Sequence, residues 1–345
     1  MNKSEFDKNL SAIQDESDSE IRYNVDETVN DLCVTVDVGE VANIKIKVNK
    51  SSFKRKLRQV FWFYIFMLPA LVGFGLLAVY PFIKAFIVSF TNRTLLDTEY
   101  AFVGFKNYIR AFNDPYVWES LKISLIYALS TVVIVNVVGL LVALLLTSKH
   151  KFIKGFRIIY YIPAIIPSVA SVIMYGFIFS PSAGIINVIL RAIGVSNPPM
   201  WLMHTKSALP TMILMSLWGF GGKMVIYLAG LLGISREFYE AAELEGANKW
   251  QSFWSITFPH LTPVIFYNVM MSIIGGIQVF TEAYVLTGTG FGVPVRFYVV
   301  NLYTHAFDGE MQQGYGSALA WILFLVIGVI TAIYNVINKK FFNYD

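Results

Sequence analysis

Apolar residues of this chain fall into six long runs separated by polar segments. The runs cover residues 60–83, 121–147, 158–179, 208–234, 261–286 and 317–337. Each is long enough to cross a lipid bilayer, which takes about 20 residues of helix. The pattern therefore predicts an all-α, polytopic membrane protein with six transmembrane helices.

Two of these runs contain helix-breaking residues. Pro163 and Pro167 interrupt the third run, and Gly219, Gly221 and Gly222 interrupt the fourth. Proline removes a backbone donor and kinks a helix, whereas glycine lets a neighbouring helix come close. Two interpretations stay open: a transport path lined by bent helices, or ordinary helix packing.

The segment before the first run has a different character. Its first fifty residues carry 6 Lys and Arg against 11 Asp and Glu, and no apolar stretch typical of a signal peptide. Residues 32–38 and 44–48 alternate apolar and polar positions on either side of Gly39, which is a weak hairpin signal. Residues 1–53 are thus either a flexible acidic tail or a small folded module, and we expect no cleavage.

Basic residues predict the orientation in the membrane. They flank the runs at one end, as Lys54, Arg55, Lys56, Arg58, Lys149, Lys151, Lys154, Arg157, Lys339 and Lys340. By the positive-inside rule these segments face the cytoplasm, together with both termini, residues 235–260 and the C-terminal residues 341–345. Segments 91–118, 181–206 and 287–314 then face outward, and their aromatic residues suit the interfacial belt.

Composition excludes several classes of function. A chain that is 56% hydrophobic and 14% charged is not an ordinary soluble domain. A single cysteine, Cys33, and four scattered histidines predict no disulfide, metal site or catalytic centre. No phosphate-binding loop of the Walker type occurs, and the GTGFG stretch at 288–292 follows a membrane helix, so we interpret it as a loop. We expect neither ATP hydrolysis by this chain nor a nucleic-acid partner.

The polar interval 235–259 separates the fourth run from the fifth. Ser235 can cap a first helix, Gly246 can end it, residues 247–257 form a second amphipathic piece, and Pro259 is predicted to stop that piece. Small residues and aromatic anchors together are typical of a docking surface. Glutamates do not suit a helix that binds anionic lipid, and four of them lie in the first helix and at its end, Glu237, Glu240, Glu243 and Glu245.

The pattern EAA, three residues, Gly246, nine residues, Ile256, one residue and FP resembles the EAA loop of bacterial ABC-importer permeases. From about residue 61 to 340 the chain is similar to carbohydrate-importer permeases of the maltose-type, first-permease class. The resembling stretches are FWFYIFMLPALVGFGLLAVYPF, VGFKNY, KGFRIIYYIPAIIPSVAS, GIIN, YLAGLLGISREFYEAAELEGA and GGIQVFTEAYVLTGTG. Departures are Glu245 for the usual Asp, Phe258 for Leu, and GTGFG for Gly-Gly-Gly-Pro.

This resemblance implies a permease domain at 54–340 that contains a cytoplasmic coupling loop at 235–259. The implied contacts with the ATPase are Glu240, Ala241, Ala242, Glu245, Gly246, Ala247 and Pro259. The implied partners are a second homologous permease, an ABC ATPase dimer that carries the ATP and Mg, an extracytoplasmic solute-binding protein and membrane lipid. The chain itself would bind no cofactor, its substrate would be a sugar or oligosaccharide, and it would lie in the bacterial cytoplasmic (inner) membrane.

Residues near the middle of the fourth and fifth runs are the natural lining of a substrate path. They are Met215, Trp218, Gly219, Gly222, Lys223, Ser272, Gln278 and Glu282. Trp218 could stack on a pyranose ring, while Ser272 or Gln278 could bind hydroxyls. Lys223 is costly inside a membrane. Three explanations for it remain open: an ion pair with Glu282, snorkelling toward water, or contact with an anionic group on the substrate.

Two other classes of protein remain as alternatives to an importer permease. A secondary transporter would often show inverted repeats and its own coupling charges, and the sequence shows neither clearly. A membrane scaffold would not need the EAA spacing. Copurification of a nucleotide-binding subunit would separate the importer from both.

Overall fold

A computed structural model describes residues 22–28, 31–37, 43–49, 53–97, 99–148, 152–288, 294–309 and 311–341. The chain divides into two compact units, Met1–Pro81 and Phe82–Asp345. Several sequence-based expectations fall outside the described residues: the start of the acidic tail, Lys149 and Lys151, most of the GTGFG stretch, and residues 342–345.

Three antiparallel strands form a sheet in the first unit. They are β1 (Arg22–Thr28), β2 (Asp31–Asp37) and β3 (Asn43–Asn49), in the order β1-β2-β3. In this register Val34 lies opposite both Val25 and Ile46. Strands β2 and β3 occupy the two alternating segments of the sequence. Strand β1 was not expected, because its RYNVDET sequence holds several residues that are depleted in strands.

The helices begin directly after the sheet. Helix α1 (Phe53–Phe74) passes through a π-helical turn (Gly75–Val79) into α2 (Tyr80–Ser89). The others are α3 (Lys106–Asn113), α4 (Pro115–Leu145), α5 (Ile153–Ile165), α6 (Ser168–Ile178), α7 (Ile185–Ala192), α8 (Thr205–Ser216), α9 (Phe220–Leu232), α10 (Arg236–Leu244), α11 (Lys249–Ser252), α12 (Phe258–Ile277), α13 (Thr281–Thr287), α14 (Tyr298–Phe307) and α15 (Gln313–Phe341).

Six membrane-crossing segments are present if one bent pair counts as a single span. Five long apolar helical segments are Val60–Ser89, Pro115–Leu145, Thr205–Leu232, Lys249–Thr287 and Gln313–Lys340. The sixth consists of α5 and α6, which meet at 94°. The predicted polytopic, predominantly helical fold is confirmed, with the three-stranded sheet as an addition.

The helix breakers act at only some of the predicted positions. Helix α5 contains Pro163 and ends at Ile165, and Pro167 lies at the bend before α6. Gly219 ends a 3-10 turn between α8 and α9. Gly221 lies inside α9, where a Cβ would overlap the carbonyl oxygen of Tyr160. These residues therefore bend the helices at some positions and allow close helix packing at another, and a transport path lined by the bent helices stays a prediction.

Short helices also lie in the segments that connect the spans. Asp114 accepts a hydrogen bond from the Tyr116 backbone N–H at 2.9 Å, and Pro115 follows it at the start of α4. Cap and proline together start α4 six residues before the predicted run.

On α14, burial raises the pKa of the Tyr298 hydroxyl, which donates to the Leu319 carbonyl oxygen at 3.0 Å. This bond ties α14 to α15.

Helix α4 is the central element of the second unit. It packs against α9 and α12, and all three contribute to buried apolar clusters. Elsewhere the long helices expose large apolar side chains, such as Leu129, Val133 and Ile333. Water would not tolerate so many exposed apolar groups, but the hydrocarbon of a bilayer does.

Candidate functional site

Two adjoining cavities open among α4, α6, α8, α9 and α12–α13. We call the first the aromatic cavity; it has a volume of about 340 Å³ and is lined by residues that include Tyr127, Tyr175, Trp218, Ser168, Ser171 and Glu282. We call the second the lysine cavity; it has a volume of about 480 Å³ and is lined by residues that include Lys223, Thr131, Ser216, Ser272, Gln278 and Glu282. Tyr127, Ser216 and Glu282 line both. The two cavities thus adjoin at these three residues, within the membrane-spanning part of the chain.

Seven of the eight predicted path residues line these cavities. Met215, Trp218, Gly219 and Glu282 line the aromatic cavity, and Lys223, Ser272, Gln278 and again Glu282 line the lysine cavity. Gly222 lines neither, and apart from the backbone of its own helix no heavy atom of the described residues lies within 4 Å of the position of its Cβ. The structure thus gathers most of the predicted set, and a role in substrate passage stays a prediction.

Aromatic rings form one wall of the first cavity. The rings of Tyr175 and Trp218 lie nearly perpendicular, with centroids 6.5 Å apart. The buried Tyr127 is held by an edge-on contact with Phe297 at 5.2 Å. Rings beside hydroxyls and a carboxylate suit a ligand that has both apolar faces and hydroxyl groups.

Sequence reasoning missed Tyr127 and Tyr175 because each lies within a different apolar run. In a membrane protein their phenol groups could also be interfacial anchors without a functional role, since tyrosine is common near span ends. Tyr127 lies well inside α4 (Pro115–Leu145), but Tyr175 lies close to the end of α6 at Ile178, so depth in the helix was an available signal for Tyr127 alone.

Lys223 does not pair with Glu282. In the part of the chain that the structure describes, its Nζ donates to the Asn268 carbonyl oxygen at 3.4 Å and has no carboxylate partner. The ion pair, one of the three explanations left open for Lys223, is therefore not formed among the described residues, although both residues line the lysine cavity. The two side chains approach that cavity from different helices, α9 and α13.

A buried hydrogen-bond network lies next to the lysine cavity. The Tyr227 hydroxyl donates to Asn136 Oδ1 at 2.8 Å, and Asn136 Nδ2 donates to Ser272 Oγ at 3.1 Å. Ser272 Oγ in turn donates to the Asn268 carbonyl oxygen at 2.7 Å. These bonds join α9, α4 and α12 side by side, which fixes the cavity wall that carries Lys223 and Ser272.

A second candidate site is the helix pair α10–α11. Defined capping residues mark the start of α10, its end and the start of α11. Ser235 accepts from the Glu237 backbone N–H at 3.4 Å at the start of α10. Helix α10 ends in a Schellman motif at Gly246, which has a φ of +82°. The Gly246 N–H donates to the Glu243 carbonyl oxygen, and the Ala247 N–H donates to the Ala242 carbonyl oxygen. Asn248 and Gln251 then form a capping box that starts α11.

This helix pair exposes apolar and acidic side chains together. Leu244 is 91% exposed and Trp250 is 69% exposed. Of the predicted coupling residues, the exposed ones are Glu240, Ala241, Glu245, Gly246 and Pro259, whereas Ala242 and Ala247 are half-buried. An almost fully exposed leucine and an exposed tryptophan within one short helix pair are typical of a surface that another protein covers.

Pro259 does not stop the second piece of the helix pair, contrary to the expectation from sequence. Helix α11 passes through a π-helical turn (Phe253–Thr257) directly into α12, and Pro259 lies in the first turn of α12. The Phe258 N–H donates to the Phe253 carbonyl five residues earlier. This wide turn provides room for the proline ring, which would clash in a regular α-helix.

Comparisons with known proteins bear on both sites. A family model described as "Binding-protein-dependent transport system inner membrane component" matches residues 135–343, which include the helix pair and all eight predicted path residues. The "Probable ABC transporter permease protein YesP" of Bacillus subtilis (strain 168) is 36% identical over 287 residues, which are 82% of this chain and 92% of that protein. The "Arabinooligosaccharides transport system permease protein AraP" of the same organism is 34% identical over 273 residues, 78% of this chain and 86% of that protein.

A solved structure has a similar fold. It is a chain from the "Crystal structure of a bacterial ABC transporter involved in the import of the acidic polysaccharide alginate". The two folds agree with a TM-score of 0.74 at 20% identity, over 84% of this chain and 99% of the other. At this level of identity the likeness concerns the fold.

Proposed function

The chain belongs to the family of binding-protein-dependent transport system inner membrane components, and from this premise we propose that it is the permease subunit of an ATP-driven importer of sugars or oligosaccharides. The relatives that are named as oligosaccharide permeases support the substrate class. The observation that carries the proposal is the exposed helix pair at Ser235–Thr257, which continues through the π-helical turn into α12, the helix that lines the lysine cavity.

The helix pair serves as the contact with an ATPase subunit. Leu244 and Trp250 supply exposed apolar anchors, while the acidic groups and the small side chains beside them define the shape of the surface. In the described residues Tyr239 and Thr257 share a hydrogen bond of 2.8 Å, so α10 is tied to the π-turn that leads into α12. A displacement of the helix pair is thereby passed to the helix that lines the lysine cavity.

The cavity serves as this subunit's part of the translocation path. Trp218 and Tyr175 present ring faces, and Glu282, Ser272 and Gln278 present groups that bind hydroxyls. A second homologous permease completes the path, and an extracytoplasmic solute-binding protein delivers the sugar. ATP and Mg belong to the partner ATPase, and this chain binds no cofactor and hydrolyses nothing.

The protein lies in the cytoplasmic membrane of a bacterium, with both termini and the helix pair in the cytoplasm. The basic residues of the sequence support this orientation. Residues 1–53 form a separate cytoplasmic segment that contains the β1–β3 sheet, and residues 54–340 form the permease domain.

Copurification and transport test the proposal. A tagged chain, extracted from its native membrane, is expected to bring down a nucleotide-binding subunit and a second permease. Deletion of its gene should abolish ATP-dependent uptake of at least one labelled sugar from a panel of mono- and oligosaccharides. Absence of a nucleotide-binding subunit, together with uptake that depends on an ion gradient instead of ATP, would establish a secondary transporter.

A further inference from the structure

We propose that Lys223 binds a carboxylate of the transported sugar, so that the substrate class is an acidic oligosaccharide that carries a uronate. This inference rests on the proposed function, because it specifies the ligand of the same cavity. Three observations support it: the Lys223 ammonium lies in the lysine cavity, it forms no ion pair with Glu282 among the described residues, and other polar groups line the two cavities.

Lys223 lies deep in the apolar helical segment Thr205–Leu232. Its stem packs near Gly139 of α4, and its Nζ reaches the Asn268 carbonyl oxygen at a long 3.4 Å. An ammonium group has three donors. A charge in this part of a membrane is costly and is retained where it serves a function. Donor capacity is therefore available to a ligand in the lysine cavity.

Glu282 does not neutralise this charge by direct contact. The ammonium contacts α12 at the Asn268 carbonyl oxygen, whereas Glu282 lies on α13, beyond the end of that helix. Both side chains line the lysine cavity, and among the described residues no ion pair joins them. The Lys223 ammonium therefore lacks a carboxylate partner in the part of the chain that the structure describes.

A neutral sugar would not require the ammonium. Hydroxyl groups find adequate partners in Thr131, Ser272 and Gln278 of the same cavity, and none of these carries a desolvation cost as large as that of a charge. A carboxylate instead forms a charge-assisted hydrogen bond with a cation, which is shorter and stronger than a bond between neutral groups.

The two cavities also predict the orientation of the ligand. The uronate ring would occupy the lysine cavity, and a neutral ring would stack against Trp218 in the aromatic cavity, near the Glu282 carboxylate. Glu282 lines both cavities, and Lys223 is the single cation among the residues that line them. The ammonium can therefore offset one added carboxylate, whereas a second carboxylate would face the Glu282 charge with no cation to balance it. A disaccharide with one uronate should therefore bind better than one with two.

Equilibrium binding to the purified membrane complex, without the solute-binding protein, tests the proposal. The probes are a disaccharide with one uronate, its neutral counterpart with the carboxyl reduced to an alcohol, and a disaccharide with two uronates. We expect the parent complex to bind the monouronate about tenfold or more tightly than the neutral sugar. Lys223→Met should abolish that preference, while Lys223→Arg should keep most of it because the positive charge remains.

Lys206→Met is the matched control. It makes the same substitution at an exposed position near the start of the same helical segment, outside the residues that line the two cavities. It should bind all three probes like the parent. Should Lys223→Met fail to assemble, Lys223→Gln makes the same comparison, and the salt dependence of monouronate binding by the parent complex gives a readout that needs no variant.

Equal binding of the monouronate and neutral probes by the parent complex would overturn the inference, as would an unchanged preference in Lys223→Met. Uptake by cells separates this failure from a failure of the proposed function. ATP-dependent uptake of a neutral sugar, with no preference for the uronate, would leave the importer intact and remove the role of Lys223. If the parent shows no ATP-dependent uptake of any sugar, both the role of Lys223 and the proposed importer function are contradicted.

Discussion

Gly246→Trp tests whether the helix pair docks on a partner. Gly246 has a φ of +82°, and no heavy atom lies within 4 Å of the position of its Cβ. A side chain in this left-handed conformation costs about 1–2 kcal/mol, which is small against the roughly 5–15 kcal/mol that stabilises a folded protein. The variant should therefore fold, and its indole ring should project into the space that a docked ATPase would fill.

Gly194 provides a matched control for this substitution. It ends α7 with a φ of +96°, and its Cβ position is equally open. Its Schellman bonds are the same, since the Gly194 N–H donates to Arg191 and the Val195 N–H donates to Leu190. Gly194→Trp thus imposes the same strain and the same ring outside the helix pair. Gly246→Asn is the second control, because asparagine tolerates the left-handed region.

Three measurements decide the outcome: membrane abundance, the amount of copurified ATPase and the initial rate of sugar uptake. We expect all three variants to reach the membrane at parental abundance. Gly246→Trp alone should weaken ATPase association by at least tenfold, which corresponds to a loss of about 1.4 kcal/mol of docking free energy, and should lower uptake with it. Parental ATPase association and uptake in Gly246→Trp would refute docking through this turn. An equal loss in Gly194→Trp would show that backbone strain is the cause.

Three further predictions concern packing, hydrogen bonding and orientation. Gly221→Ala should lower the unfolding temperature of the detergent-purified protein, because its methyl group overlaps a neighbouring carbonyl, whereas Gly222→Ala has open space and should leave it unchanged. Tyr227→Phe should destabilise the protein by about 1–3 kcal/mol, since Asn136 loses a buried donor, and thermal unfolding that matches the parent would contradict the network. A tag fused after Asp345 should survive protease added to intact cells, and its removal would reverse the assigned orientation.

The spans could be predicted from sequence because crossing a bilayer imposes a length and a hydropathy that are visible locally. The helix pair was equally visible, since Ser235, Gly246 and Asn248 are cap residues whose effect depends on their immediate neighbours. Local chemistry therefore determines where these helices begin and end. The EAA sequence, followed after three residues by Gly246, added the resemblance that indicated a permease.

Other features depend on tertiary contacts and could not be predicted. Tyr127 and Tyr175 come together only after two separate runs have packed, so neither stands out in its own run. Pro163 and Pro167 look alike in sequence, yet the bend falls at Pro167. Lys223 and Glu282 lie on the fourth and fifth runs, and whether they form an ion pair depends on how these runs pack, which the sequence does not reveal.

The π-turn before Pro259 joins the second short helix and the fifth span into one helical rod, which also contains Pro263. From Lys249 to Ile277 this rod is continuous, and at 1.5 Å per residue its length along the helix is roughly 43 Å. A lever of that length converts a tilt of about 5° at the docking end into a sideways movement of about 4 Å at Gln278, by the same geometry. A hinge at Pro259 would have absorbed such a tilt. A continuous rod instead carries a small rotation at one membrane surface to the cavity as a displacement comparable to the width of a hydroxyl group and its hydrogen bond.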